Sequence, residues 1–446
     1  MAVKKRRYAK QKVPQELVEV EIATLSPEGR GVAHVADETV FIHGALPGER
    51  VRFRYLQRRR GIGEGEVVDV LSPSLDRIEP KCAHFSICGG CSLQHLPAAQ
   101  QRQLKHDVLR QQLERIGRVA PEEWLPPLTG PEWGYRRRAR LGVKLVPKKG
   151  RVLVGFRERG SSFIAALETC EVLDPRVGQR LRELAALVER LSVARQLPQI
   201  EVAIGDDAVG LVFRHLAPLT AADRAELAAF GEQYGFLIYL QPGNESTVQL
   251  LWPAAAELTY RLSNFAVELA FRPTDFTQVN AGINRAMVSR AIELLDPQPT
   301  ESVLDLFCGL GNFTLPLARR AGHVVGVEGE AGLVGRARDN AHRNGLGNCE
   351  FHVADLSRDV RGLPWMQRRY DKLLLDPARS GAAELIPQIA GLGATRIVYV
   401  SCNPATLARD AGMLVKEHGY RLRSAGIIDM FPHTAHVESI AVFERA

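Results

Sequence analysis

Ser302-Val303-Leu304-Asp305-Leu306-Phe307-Cys308-Gly309-Leu310-Gly311-Asn312-Phe313 is the stretch that decides the fold. An apolar run carrying an acid breaks into two closely spaced glycines, and helical patterning resumes after them. That is a strand, a tight loop and a helix, the opening of an α/β unit. The same style repeats outward: HVVGVE (323–328), CEFHVAD (349–355), YDKLLLD (370–376) and RIVYVS (396–401) are strand-like runs separated by helical stretches. Strands alternating with helices predict a doubly wound sheet over 273–446. RLRSAGIID (421–429) and ESIAVFE (438–444) suit an antiparallel hairpin at its edge.

In such a sheet the ligand lies across the carboxyl ends of the strands. The glycine loop lets backbone approach a ligand closely. Glu328 ends the second strand, 23 residues after Asp305, where an acid can accept ribose hydroxyls. Asp355 and Asp376 end the third and fourth strands. A dinucleotide fold would prefer G-x-G-x-x-G, whereas G-x-G followed by Asn resembles S-adenosylmethionine-dependent methyltransferases. The fifth strand runs into Ser401-Cys402-Asn403-Pro404, a cap and first turn for the helix that stops at Gly419. A cysteine at a helix N-terminus is expected to have a lowered pKa and to serve as a nucleophile. Glu438, at the start of the last apolar run, is a base only if Cys402 is near. Cys349 and Cys308 read as packing.

The front of the chain differs. Its 446 residues carry a net charge of +7, and residues 1–151 alone hold 28 Lys+Arg against 17 Asp+Glu, an excess of +11. That asymmetry points to a polyanion partner. Residues 1–12 form a basic tail. LVEVEIATL, TVFIHGAL, RVRFRYL and GEGEVVDVL over 13–72 predict a small β-barrel with a basic edge at Arg58, Arg59 and Arg60. Cys82, Cys88 and Cys91 form C-x5-C-x2-C, and with the distant Cys170 they can supply four ligands; an iron–sulfur cluster is preferred over zinc, which more often shows two C-x2-C pairs. A helix is expected from Pro97 to Ile116. Residues 135–151 hold eight basic residues and no acid; Arg136, Arg137, Arg138 and Arg140 are candidate RNA contacts, with Tyr135 and Phe156 as flanking aromatics. No apolar run reaches 18 residues, so no membrane span is expected. The odd, sparse cysteines argue against a disulfide scaffold and for a reducing compartment.

The expected class is therefore multidomain α/β: an OB-like barrel (13–72), a central α+β domain (73–272) and a Rossmann-like domain (273–446). Phe276-x-Gln278-x-Asn280, the 305–313 loop, Asp376-Pro377, Ser401-Cys402-Asn403-Pro404 and His433-Thr434-x-His436-Val437-Glu438 together resemble the RNA uracil-C5 methyltransferases, in particular members with a TRAM domain and a four-iron cluster that act on 23S ribosomal RNA. The resemblance covers nearly the whole chain. It implies an S-adenosylmethionine site at Gln278, Phe307, Asn312, Glu328, Asp355 and Asp376, Cys402 as nucleophile, Glu438 as base, and a 4Fe-4S cluster on Cys82, Cys88, Cys91 and Cys170. One departure is Asp376-Pro377-Ala378-Arg379, where the family usually has a second proline. A cytoplasmic monomer is expected, with no membrane partner. Transfer RNA is the alternative substrate, and a non-catalytic RNA-binding or assembly protein the alternative of another class. A cytosine-C5 enzyme would want a Pro-Cys-Ser motif at the fourth strand.

Overall fold

The structure is a computed structural model that describes residues 16–59 and 61–445. The 1–12 tail and Arg60 lie outside the described residues. Two compact units result: residues 1–105 with 432–436, and residues 106–431 with 437–446.

The first unit contains a six-stranded sheet of Val18–Glu21, Thr24–Leu25, Gly31–Val35, Glu38–His43, Arg50–Arg59 and Ile62–Ser72. Alternation puts Val51, Phe53 and Tyr55 into a core with Ile22, Val40 and Ile42. The 17–25 run is broken rather than continuous. Ile22 is buried, and its amide leaves the ladder for the Glu49 carbonyl at 2.9 Å. Gly31–Val35 is a strand the sequence pattern did not announce. At the basic edge Arg58 pairs with Glu38, and earlier in the same strand Arg52 pairs with Asp69 and Arg54 with Glu66.

In the second unit, Arg138–Val146, Arg151–Gly155, Gln199–Ile204, Val209–Arg214, Phe236–Gln241 and Gln249–Trp252 form a six-stranded sheet. Helices Leu181–Arg190 and Ala221–Tyr234 accompany it. The larger sheet carries β1 (Ser302–Leu306), β2 (His323–Glu328), β3 (Cys349–Val353), β4 (Lys372–Leu375), β5 (Arg396–Ser401), β6 (Tyr420–Ile428) and β7 (Glu438–Arg445). Their order is β3-β2-β1-β4-β5-β7-β6, with Glu123–Trp124 beyond β6. The first five are mutually parallel, and β7 is antiparallel to both neighbours. The terminal pair is thus a hairpin as expected, but β7 inserts between β5 and β6 instead of forming the edge. Strand order reverses beside β1, which opens the ligand crevice. Because β7 runs the other way, its amino end lies at the carboxyl ends of the parallel strands, which carries Glu438 to the crevice.

Candidate active site

A cavity of about 470 Å3 opens there. Its walls include Gln278, Phe307, Asn312, Glu328, Asp376, Cys402 and Glu438. Asp355 is not among them: its carboxylate is exposed and turned to the Ser357 hydroxyl (2.6 Å) and the Arg358 guanidinium (2.9 Å).

The glycine loop is built for close approach. Phe307 has φ +67°, a left-handed backbone unusual for a side chain of that size, and its amide is tied to the Val327 carbonyl at 2.9 Å. Gly311 has φ +96°, a backbone that residues with a Cβ rarely adopt, and a Cβ there would also push aside the Leu315 side chain. Glu328 reaches back to the loop: one oxygen accepts the Gly309 amide at 3.2 Å and the other the Gly329 amide at 2.7 Å. Asn312 is held from two sides that its motif does not reveal. The Tyr260 hydroxyl donates to Asn312 Oδ1 at 2.9 Å, and Asn312 and Asn284 exchange amide hydrogen bonds at 2.9 and 3.0 Å. Asn284 lies one helical turn beyond Asn280, which caps the helix Ala281–Leu295; that i+4 spacing was the available signal. Tyr260 sits in a separate hairpin and had none.

Two carboxyls, Asp376 in the cavity wall and Asp305 on β1, are poorly solvated. Burial pushes Asp376 up to about 7 and Asp305 up to about 8, the latter despite a hydrogen bond from Thr314. Asp305 Oδ1 is buried with no hydrogen-bond partner among the described residues.

Cys402 and Glu438 are brought together by register. Ser401 on β5 pairs with Ser439 on β7, and the Ser439 hydroxyl donates to the Ser401 carbonyl at 3.3 Å. In an antiparallel ladder the residue after Ser401 then faces the residue before Ser439. Asn403 caps the helix Pro404–His418, accepting the Ala405 amide at 3.1 Å, so Cys402 stands one residue outside the helix. The expected lowering of its pKa is overturned. Burial first, then the negative charges of Glu438 and Asp376, push the thiol up to about 11, and Arg379 opposes them only partly. The helix dipole fades beyond its first turn and loses to desolvation.

The basic strand is mostly committed to the fold. Arg136 donates to the Arg138 carbonyl at 2.9 Å and lies 5.8 Å from the Phe156 ring; Arg137 pairs with Asp206 at 2.5 Å; Arg138 donates to the Pro273 carbonyl at 2.9 Å. Arg140 pairs with Glu201 at 3.0 Å yet keeps 64% of its side chain exposed. Cys82, Cys88, Cys91 and Cys170 are each half-buried. The Gly90 amide donates to Cys88 Sγ at 3.4 Å. Among the described residues no group of three or more His, Cys, Asp or Glu is gathered as a metal site.

A family model described as tRNA (Uracil-5-)-methyltransferase matches residues 258–446, and the TRAM domain model matches residues 12–68. The chain is 59% identical over 437 residues to the 23S rRNA (uracil(1939)-C(5))-methyltransferase of Alkalilimnicola ehrlichii, covering 98% of both proteins. The chain belongs to the RNA uracil-C5 methyltransferase family. The 23S rRNA (uracil(1939)-C(5))-methyltransferase of Nitrosococcus oceani is 58% identical, with 97% of both proteins covered. The crystal structure of the Pyrococcus abyssi tRNA (uracil-54, C5)-methyltransferase in complex with S-adenosyl-L-homocysteine matches at a TM-score of 0.73 and 25% identity, covering 96% of this chain and 100% of that one. The Rossmann-like sheet and the barrel are thus those of this family. No helix among the described residues is long and apolar enough to cross a membrane.

Proposed function

We propose that this chain transfers the methyl group of S-adenosylmethionine to C5 of a uridine in 23S ribosomal RNA, through a covalent bond between Cys402 and C6 of the uracil. The observation that carries the reading is the β5–β7 register, which sets a thiol and a carboxylate across from each other at a cavity also walled by Glu328 and Asp376.

The cavity fits the methyl donor. Glu328 retains acceptor capacity for ribose hydroxyls, and Asp376 in the cavity wall, raised to about 7 by burial, can ionise beside a sulfonium. When bound, the donor supplies a methyl cation equivalent on a good leaving group. The residues do the rest. C5 of uracil is a weak nucleophile, and addition of the Cys402 thiolate at C6 makes C5 enolate-like and electron-rich. Glu438 takes the C5 proton after transfer, and breaking of the C6–S bond expels the Cys402 thiolate and restores the C5=C6 double bond. The target base must leave its stack to reach Cys402.

Cys82, Cys88, Cys91 and Cys170 hold a 4Fe-4S cluster in this reading. Its support is the cysteine spacing and the Gly90 amide aimed at Cys88 Sγ, as amides are at ligating thiolates. Its role is to order the RNA-binding region rather than to move electrons. The barrel and the central domain, over 13–72 and 73–272, grip the RNA, and 273–446 performs the chemistry. The enzyme works as a cytoplasmic monomer, where ribosomal RNA and reduced thiols coexist.

The test is transfer of labelled methyl to unmodified 23S and transfer RNA in parallel, with iron and sulfide analysis of anaerobically purified protein. Label in 23S RNA and about four irons per chain are expected. Label in transfer RNA alone would replace the substrate, and a colourless protein would remove the cluster.

A further inference from the structure

The two aromatics that flank the basic strand in sequence are unavailable to RNA bases. Tyr135 is buried, and Phe156 is half-buried against the Arg136 guanidinium. A third aromatic, Phe163, stands free on a hairpin packed over that sheet. Residues 156–165 fold into a hairpin: Glu158 donates to the Phe163 carbonyl and Ala165 to the Phe156 carbonyl, each at 2.9 Å, and Arg157 bridges Ile164. Ile164 is seated on bare backbone, since a Cβ on Gly142 would stand 2.3 Å from Ile164 Cδ1. Gly142 lies between Arg140 and Lys144 on one face of Arg138–Val146, and both of those side chains are exposed. Neighbouring residues of an extended hairpin arm point opposite ways. With Ile164 turned down onto the face, Phe163 turns outward, and it is 71% exposed.

We propose that Phe163 is a stacking platform for an unpaired base of the substrate RNA, with Arg140 and Lys144 holding the adjoining phosphates. An aromatic face beside exposed cations, here Lys144 and the half-engaged Arg140, is how proteins grip single-stranded RNA. The aromatic face calls for a base as well as phosphates, and the RNA of the proposed reaction supplies both. The proposal deepens the RNA-methyltransferase reading and rests on it.

The test uses the full-length protein and a fluorescent single-stranded oligonucleotide copied from the methylated region of 23S RNA. Phe163→Ala and Phe163→Leu are expected to weaken binding roughly 5- to 150-fold, the range for one lost base–aromatic stack. Phe163→Trp should bind within about twofold of wild type, since it keeps a π-face. The KM for S-adenosylmethionine and the kcat at saturating RNA should not change in any variant. Lys144→Ala should flatten the salt dependence of RNA affinity by about one counterion. Wild-type affinity in Phe163→Ala, or in Phe163→Leu, would overturn the stacking role. So would a rise in the cofactor KM of all three variants, which would mark a structural role. If RNA binding follows Phe163 but wild-type protein methylates no RNA, the platform stands and the enzymatic reading falls.

Discussion

In the free protein, Cys402 should be nearly inert as a nucleophile. Its thiol sits at about 11 because it is buried and faces the carboxylates of Glu438 and Asp376. At pH 8, three units below that value, about one thiol in a thousand is ionised, and each further pH unit multiplies the fraction by about ten. Iodoacetamide reacts with the thiolate. Alkylation of the Cys402 peptide, followed by mass spectrometry, should therefore quicken about tenfold per pH unit from 7 to 10 and level off near 11. Replacing Glu438 by Gln removes the second cause of the elevation, so the free variant should alkylate roughly three- to tenfold faster at pH 8. The same variant should lose turnover. Opposite effects on reactivity and catalysis separate the electrostatic role of Glu438 from its role as base. A Cys402 alkylation profile that levels off below pH 8, or slower alkylation in Glu438→Gln, would refute this reasoning.

Four other outcomes are expected. Glu438→Gln, incubated with substrate RNA and S-adenosylmethionine, should accumulate a covalent RNA adduct visible as a shifted band on a denaturing gel; Cys402→Ala should give neither band nor methyl transfer. Asp376 and Asp305 are raised to about 7 and about 8, so the folded chain binds protons there that the unfolded chain has released. Stability from these groups is therefore lost as pH rises from the ordinary carboxylate range through about 8, and the melting temperature of the ligand-free protein should fall across that window. A cationic ligand favours the ionised carboxylates, so calorimetric affinity for S-adenosylmethionine should rise over the same window, and less steeply in Asp376→Asn. Tyr260→Phe removes one of the two donors to Asn312 Oδ1 at a cost of about 0.5–1.5 kcal/mol, which should appear as a roughly 2- to 12-fold higher KM for S-adenosylmethionine with kcat retained.

Local patterns exposed much of the catalytic part to direct reading. The strands of the large sheet are short apolar runs bounded by glycines, acids and caps, and the loop after β1 declares itself through Gly309 and Gly311. Glu328, Asp376, Cys402 and Glu438 share the cavity because strand ends in such a sheet share one edge. What stayed hidden depends on distance in sequence. The insertion of β7 beside β5 is a matter of pairing, which periodicity does not encode. Asn312 is held by Tyr260, 52 residues away. The arginines at 136–138 look like an RNA-binding strip until Asp206 and Pro273 arrive from elsewhere. Gly31–Val35 lacks the strong β-branched alternation that marks its neighbours. Helix position alone favours a lowered Cys402 pKa, and burial, which sequence pattern does not display, reverses the direction. Asp355 ends its strand as Asp376 does, but Ser357 and Arg358 draw its carboxylate away from the cavity.

The most direct measurement uses 23S RNA carrying tritium at C5 of its uridines. Addition of Cys402 at C6 followed by proton removal by Glu438 requires one tritium to enter water for each methyl transferred, at a single uridine, with none released by Cys402→Ala. Methyl transfer without tritium release, or equal release by Cys402→Ala, would contradict the covalent uracil-C5 chemistry assigned to this site.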